Sequence, residues 1–271
     1  MTRWLATLGT MLLVLGGAES ASADAIDAAL RGKDRDAADA ARDVYRHPRE
    51  TLAFFGIESE MTIVELMPGG GWYTRLLAPL VREKGRYIGA EYDPTPYAEE
   101  YPDFAARLSK YPDSVKANPA LYGENARGTW ILRGEVAEDA SVDMILGIRF
   151  LHNWISGGYA EKALTELHRT LKPGGVFAIV QHRAGEDDPR DAVEIAKSGY
   201  VKESYAIDLM KAHGFALAER SEINANPKDT RDHPEGVWTL PPALRLGDED
   251  KEKYLAIGES DRMTLKFVKS K

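Results

Sequence analysis

Short apolar runs recur along the chain at 62–66, 86–90, 129–132, 142–146, 176–180, 216–220 and 263–268, each bounded by polar or turn-forming residues. Runs of this length suit strands, and seven of them predict a seven-stranded sheet. Between most of them the apolar positions change to helical spacing, at 71–82, 160–171 and 201–213. In 71–82, Leu76, Leu77, Leu80 and Val81 share one face and leave Arg75, Arg82 and Glu83 for solvent, with Pro79 expected to kink the helix. Strand and helix in alternation predict a Rossmann-like α/β fold, a mostly parallel sheet with helices on both faces. Residues 24–60, rich in Ala, Asp and Arg, read as an N-terminal helical cap in which one helix stops and the next starts at Pro48. The domain proper is then 61–271. Two stretches break the alternation. Residues 93–128 carry repeated Pro and Tyr and predict short helices and loops on the substrate side, while 224–252 is polar and proline-rich, a length typical of a functional loop or lid.

The run Thr62-Ile63-Val64-Glu65-Leu66-Met67-Pro68-Gly69-Gly70-Gly71-Trp72-Tyr73-Thr74 reads as a buried strand, a glycine turn and a helix start. Three consecutive glycines let the backbone approach a ligand that side chains would hold off, and the free N–H groups of the helix start would face it. A nicotinamide dinucleotide is disfavoured, because Gly69 and Gly71 are followed by Thr74 where the G-x-G-x-x-G pattern needs its third glycine. At the end of the second strand, Tyr87-Ile88-Gly89-Ala90-Glu91 offers Glu91 as an acceptor for both hydroxyls of a ribose.

Composition narrows the partners. The chain has 271 residues, enough for one α/β domain with a real core, and its net charge of -8 with pI near 5.4 argues against a nucleic-acid or anionic-membrane surface. A small-molecule substrate fits better. Residues 1–23 differ from the rest: Arg3, an apolar stretch, then Ala21-Ser22-Ala23, which reads as a Sec-type signal peptide cleaved after Ala23. The apolar stretch is shorter than the ~20 residues a membrane span needs, so no stable membrane insertion is expected once the signal is removed. With no cysteine there is neither a disulfide nor a lipid-modified cysteine, and a periplasmic or secreted location is expected.

Three segments in order give the chain its resemblance to class I S-adenosylmethionine-dependent methyltransferases, over about residues 61–267. They are Val64-Glu65-Leu66-Met67-Pro68-Gly69-Gly70-Gly71, similar to the acidic residue and glycine-rich first motif; Ser141-Val142-Asp143-Met144-Ile145-Leu146, similar to the fourth strand with its acidic residue; and Glu166-Leu167-His168-Arg169-Thr170-Leu171-Lys172-Pro173-Gly174-Gly175, which matches the helix and turn before the fifth strand. The last is the most specific. With His47-Pro48 in its N-terminal helical region, the chain also resembles a group of exported, predicted bacterial methyltransferases. The resemblance implies S-adenosylmethionine as cofactor and methyl transfer as activity. It implies that Glu65, Gly69, Gly70 and Gly71 hold the methionine end, Glu91 the ribose, and Glu135 the adenine amino group. Trp72 or Tyr73 could flank the sulfonium through cation–π attraction. One departure is Met67-Pro68, where most relatives carry a glycine two residues after the acid; Met tolerates positive φ poorly, so the turn is expected to be displaced.

Catalytic candidates follow the fourth and fifth strands, where ligands bind in such sheets: Arg149, His152, Asn153 and Trp154, then His182 and Arg183. Methyl transfer is an in-line displacement in which alignment does most of the work, and a base is needed only if the acceptor must lose a proton. His152 is the first candidate base and His182 the second. The Asn-Pro-Pro-aromatic run of amino-group methyltransferases is absent, which favours an oxygen or other heteroatom of a small molecule. No metal is expected, since no histidine pair has ligand spacing on a helix. The alternative is a methyltransferase-fold binding protein of the periplasm that has lost or exchanged its cofactor, because a protein exported unfolded would meet little of it outside the cytoplasm.

Overall fold

The structure is a computed structural model that describes residues 16–270. Its seven strands are β1 (Thr62–Leu66), β2 (Arg86–Tyr92), β3 (Arg127–Ile131), β4 (Val142–Ile148), β5 (Leu171–His182), β6 (Phe215–Ser221) and β7 (Arg262–Lys269). They form one sheet in the order β3-β2-β1-β4-β5-β7-β6, parallel except for β7, which runs antiparallel to both neighbours. This is the Rossmann-like architecture that the apolar runs predict. β2 is longer than its apolar run because Glu91 and Tyr92 keep pairing, with Trp130 and Ile131. β3 stops at Ile131, since Leu132 takes a left-handed φ of 69° that a strand cannot continue through. The first core helix is Thr74–Val81, three residues later than expected, because the Gly71 N–H closes a turn on the Pro68 carbonyl at 2.9 Å before the helix begins. The stretch 93–128 does break into short helices, Pro102–Ser109, Tyr111–Lys116 and Pro119–Tyr122.

Strand alternation sorts β1 onto two faces. Val64 and Leu66 join the core under Phe150, Trp154, Leu164 and Leu167, whereas Ile63 and Glu65 face the helix Thr74–Val81 and the cap. The cap consists of helices Gly16–Leu30, Ala37–Ala40, Asp43–Arg46 and Pro48–Phe55, with Pro48 at the first turn of the last. Ile26, Leu52, Phe55 and Ile57 bury themselves against Leu76, Leu77 and Leu80 in one shared cluster. Most of the expected signal peptide, residues 1–15, lies outside the described residues. The helix Gly16–Leu30 runs through the expected cleavage junction, and the side chains it contributes to the core, Ile26 and Ala29, lie beyond Ala23.

The charged tie between the cap and the far side of the sheet is centred on a buried carboxylate, with Asn224 also donating to Thr51 of the cap at 3.0 Å. Glu259, 3% exposed, sits just before β7 and accepts from Arg42 Nε at 2.8 Å, from Arg46 Nε at 3.1 Å, and from Arg262 Nη2. Burial alone would raise its pKa, but the surrounding guanidinium charges, Arg262 and Arg46 foremost, hold it down at about 2. Arg46 is itself fully buried and lies over the Trp72 ring at 4.5 Å. Replacing Glu259 by Gln strands these charges and should lower the unfolding free energy by about 3–5 kcal/mol, read from urea denaturation. The folded-state pKa lies below the ordinary 4.5, so this contribution is complete above pH 4.5 and is lost as the pH falls toward 2. The gap between wild type and variant should therefore narrow through that window; a gap that stays constant there would contradict the ion cluster's role.

Candidate active site

β1 ends at the C-terminal edge of the sheet, and the chain must turn at once to reach the helix Thr74–Val81. Met67 makes that turn in a left-handed conformation, φ 46°, the backbone state a glycine would take freely and one that methionine was expected to avoid. It is held there at both ends: its N–H donates to the Ala90 carbonyl at 2.8 Å, and its sulfur accepts from Trp154 Nε1 at 3.3 Å. Gly69 and Gly71 follow at φ 58° and 75°, conformations open to glycine but costly for other residues. The far side of the turn is clamped by Arg75, which donates to the Gly70 carbonyl at 2.9 Å and pairs through two bonds with Asp39 of the cap. The Asp39 carbonyl in turn accepts from Trp72 Nε1 at 3.0 Å.

Three cavities meet at this turn, and Pro68 and Gly70 line all of them. The smallest, about 170 Å³, lies under the cap between Glu65, Arg42, Tyr73 and Arg149. The second, about 350 Å³, is walled by Glu91, Arg107, Tyr111 and Tyr122. The largest, about 890 Å³, opens past Tyr92, Tyr97 and Phe104 to Arg149, His152, His182, Trp238 and Arg245. The glycine turn therefore brings Glu65, Glu91 and both histidines to one junction but separates Glu91 from the histidines. Glu135 is not among them. It stands 72% exposed, with Arg169 at 4.0 Å, away from the lining of these cavities.

Both strand-end acids are buried, and burial raises both pKa values. Glu65 reaches about 7; Tyr87 and Thr74 hydroxyls lower it by donating to Oε2 at 2.6 and 2.7 Å, but burial outweighs them. All of its hydrogen bonds fall on that one oxygen. Glu91 accepts the Gly69 N–H at 2.8 Å on Oε1, and on Oε2 the N–H of Tyr92 at 3.3 Å. Its carboxylate thus already fastens the glycine turn. Gly89 explains how a neighbour reaches this acid pair: a Cβ there would meet Tyr111 Oη at 1.9 Å, and Tyr111 Oη lies 3.4 Å from Tyr87 Oη.

The two histidines line the large cavity 5.7 Å apart, ring to ring. Burial depresses both; His152 falls to about 4. Its hydrogen bonds bear on the base role expected of it. Gln181 Oε1 accepts the Leu151 N–H at 3.1 Å, so its amide nitrogen donates, to the Gly199 carbonyl at 3.0 Å and to His152 Nδ1 at 3.2 Å. His152 Nδ1 is then the acceptor, and the ring's proton sits on Nε2. In this state His152 is a hydrogen-bond donor, not the general base. His182 Nδ1 is engaged with Ser260 Oγ at 2.5 Å. Trp72 likewise departs from its expected place: Arg46 and Arg35 cover its ring at 4.5 and 5.2 Å, so it locks the cap and does not offer a face to a sulfonium. Asn153 also lines the large cavity, whereas Trp154 is fully buried and Arg183 pairs with Asp261, Glu203 and Glu222 elsewhere. Among the described residues no group of three or more His, Asp or Glu could hold a metal ion. Asp143 and Lys172 of the motif segments form a pair at 2.6 Å, with Asp143 also accepting the Thr62 N–H, so they tie β1, β4 and β5 together. Trp238 and Arg245 were not visible as site residues in the sequence. They come from the long loop 224–252, whose length was its only signal.

The sheet and the helices around it have the arrangement of a Rossmann-like methyltransferase fold. Residues 64–179 match the model of a family described as a methyltransferase domain. Among solved structures, the chain is similar to an S-adenosylmethionine-dependent methyltransferase from Aquifex aeolicus, at 18% identity and TM-score 0.51, covering 88% of this chain and 96% of that one. It is also similar to phosphoethanolamine N-methyltransferase 2 of Haemonchus contortus in complex with S-adenosyl-L-methionine, at 15% identity and TM-score 0.51, covering 91% and 60%. A third similar structure is the [4+2]-cyclase SpnF, at 13% identity and TM-score 0.50, covering 88% and 84%. No curated protein matches the sequence.

Glu65 yields a test of the site's electrostatics. Its folded-state pKa, about 7, lies above the ordinary 4.5, so the native state loses stability as the pH rises through that interval and keeps the deficit above 7. Glu65→Gln does not titrate. It should gain on the wild type by about 3 kcal/mol between pH 4.5 and 7, measured by urea unfolding across the range. A difference independent of pH would mean that the carboxyl is not held protonated.

Proposed function

We propose that the protein binds S-adenosylmethionine at the glycine corner and transfers its methyl group to a heteroatom, oxygen foremost, of a small molecule. The observation that carries this reading is the junction of two buried strand-end carboxylates, Glu65 and Glu91, with an exposed glycine turn and a large cleft, on a sheet of the methyltransferase order. When bound, the cofactor supplies an electrophilic methyl group on a cationic sulfonium.

The residues present suit that group. Glu65 has one oxygen free of hydrogen bonds and lines the cavity under the cap, where a cationic ammonium would draw off its proton. The backbone is open at Gly70, where a Cβ would meet nothing, and nearly so at Gly69, whereas at Gly71 a Cβ would meet Arg75 Nη1 at 3.0 Å. Glu91 would take the ribose hydroxyls, exchanging the Gly69 N–H for them; its two oxygens have acceptor capacity to spare. Glu135 would serve the adenine only if the loop after β3 swings inward. His152, protonated on Nε2, would orient the acceptor through a donated hydrogen bond, with His182 beside it. An acceptor that arrives already deprotonated needs no base.

Calorimetry of the full chain with S-adenosylmethionine and S-adenosylhomocysteine tests the reading. Both should bind, and Glu91→Ala should weaken them by about 1–3 kcal/mol. Unchanged affinity in the variant would remove the ribose assignment. No binding by the wild type would favour the second reading, a fold kept for binding without this cofactor, to which the prior engagement of Glu91 by Gly69 also lends support. The pattern of residues 1–23 supports export to the periplasm; mass spectrometry of protein expressed with its full N-terminus should find a chain beginning at Asp24, and an intact Met1 would overturn that placement.

A further inference from the structure

The large cavity has an electrostatic character opposite to that of the chain. The protein carries a net charge of -8, yet no Asp or Glu lines this cleft, while Arg149 and Arg245 both do. Neither guanidinium makes a hydrogen bond or an ion pair among the described residues. Arg149 is half-buried, and its Nε is fully enclosed without a partner. Its backbone is held left-handed at φ 58° immediately after β4, and the Arg149 N–H donates to the Val180 carbonyl at 2.7 Å, so the main chain from which the side chain springs is fixed at the end of the sheet. Burial lowers its pKa, and the nearby Arg46 and Arg262 lower it further; Glu259 opposes them but is already bonded to Arg42, Arg46 and Arg262, and of the acids that share the small cavity with Arg149, Asp39 is paired with Arg75 and Glu65 is bonded to Tyr87 and Thr74. An uncompensated guanidinium of this kind is a standing demand for an anion.

The rest of the wall is flat and aromatic. Arg245 stacks on Trp238 at 4.4 Å, Trp238 meets the His152 ring at 5.9 Å, and Tyr92, Tyr97 and Phe104 form a chain of edge-to-face contacts opposite. His152 adds a neutral N–H donor. Two free cations, one donor and a set of ring faces select a planar molecule that carries an anion, and the guanidinium fork matches a carboxylate in particular.

We propose that the acceptor, on the methyltransferase reading above, is a small aromatic carboxylate, its carboxylate held by Arg149 and Arg245 and its ring lying among Trp238, Tyr97 and Phe104. In the transfer, the acceptor's heteroatom, having lost its proton to water before it binds, uses a lone pair to form the new bond to the methyl carbon while the carbon–sulfur bond breaks and its electron pair stays on sulfur, leaving S-adenosylhomocysteine and a neutral methylated heteroatom. The anchoring carboxylate is unchanged by the step.

The test is equilibrium binding of three probes to the full chain, with and without S-adenosylhomocysteine: 4-hydroxybenzoate, its neutral counterpart 4-hydroxybenzamide, and the non-planar cyclohexanecarboxylate. 4-Hydroxybenzoate should bind at least about tenfold more tightly than either of the others, the range expected for a charge-assisted contact. Arg149→Gln should abolish the preference over the amide. Arg245→Gln, on an exposed loop whose loss of charge does not threaten folding, should reduce the preference as well. Equal binding of benzoate and amide by the wild type would overturn the proposal, as would an Arg149→Gln protein that keeps the wild-type preference for the benzoate. If the wild type prefers the benzoate but binds no S-adenosylhomocysteine, the anion site stands and the methyl-transfer reading falls.

Discussion

The buried carboxylate of Glu259 is the contact on which the arrangement of the site depends. It lies at the start of β7 and joins three guanidinium groups, two from the N-terminal cap and one from β7 itself. Without it the cap would have to bring Arg42 and Arg46 against Arg262 uncompensated, and burial makes that repulsion severe. With it, Arg46 can lie flat on Trp72, Trp72 can reach the Asp39 carbonyl, and Asp39 can hold Arg75 against the glycine turn. The cap thus acts as the outer wall of the glycine corner. One further consequence is that Glu259 is fully used, so the fourth guanidinium, Arg149, faces the cleft without a partner.

The corner itself is held in an unfavourable backbone state. Met67 takes a positive φ where a glycine would do so freely, and the surroundings fix it through Ala90, Trp154 and the closed turn at Gly71. Strain of this kind persists only where the neighbouring structure over-determines it, and it concentrates at functional sites. Arg149, across the same junction, is likewise left-handed. The turn brings the Gly69 N–H to Glu91, so the acid that would receive a ribose is occupied by the protein's own backbone. On the proposed reading, binding at this corner would be an exchange of hydrogen bonds and not the filling of a preformed slot.

Much of the fold was legible because its signals are local. β1 was read to the residue, since Ile63, Val64 and Leu66 form an apolar run that ends at a glycine turn, and Pro48 marked its helix start as expected. The helix after the turn began later than expected because a local turn, closed by the bond from Gly71 to Pro68, competed with the spacing of its leucines. The site was legible only in part. Glu65, Glu91 and the glycines stand at strand ends and could be placed by register. The state of His152 could not, because it depends on Gln181 and Gly199, which are distant in sequence. Trp72 looked like a free aromatic because nothing in its neighbourhood discloses that Arg46 and Arg35 come to cover it. Trp238 and Arg245 reach the cleft from a loop without periodicity, and only the folded chain shows where such a loop lands.

The central claim is that the glycine corner is a cofactor pocket whose two acids divide the ligand between them. A crystal structure of the full chain with S-adenosylhomocysteine tests it most directly. The ligand's ammonium should lie at Glu65 and its ribose hydroxyls on Glu91, with the Gly69 N–H released from that carboxylate. A ligand found elsewhere, or a Gly69 to Glu91 bond that persists while the ribose lies away from Glu91, would contradict the account.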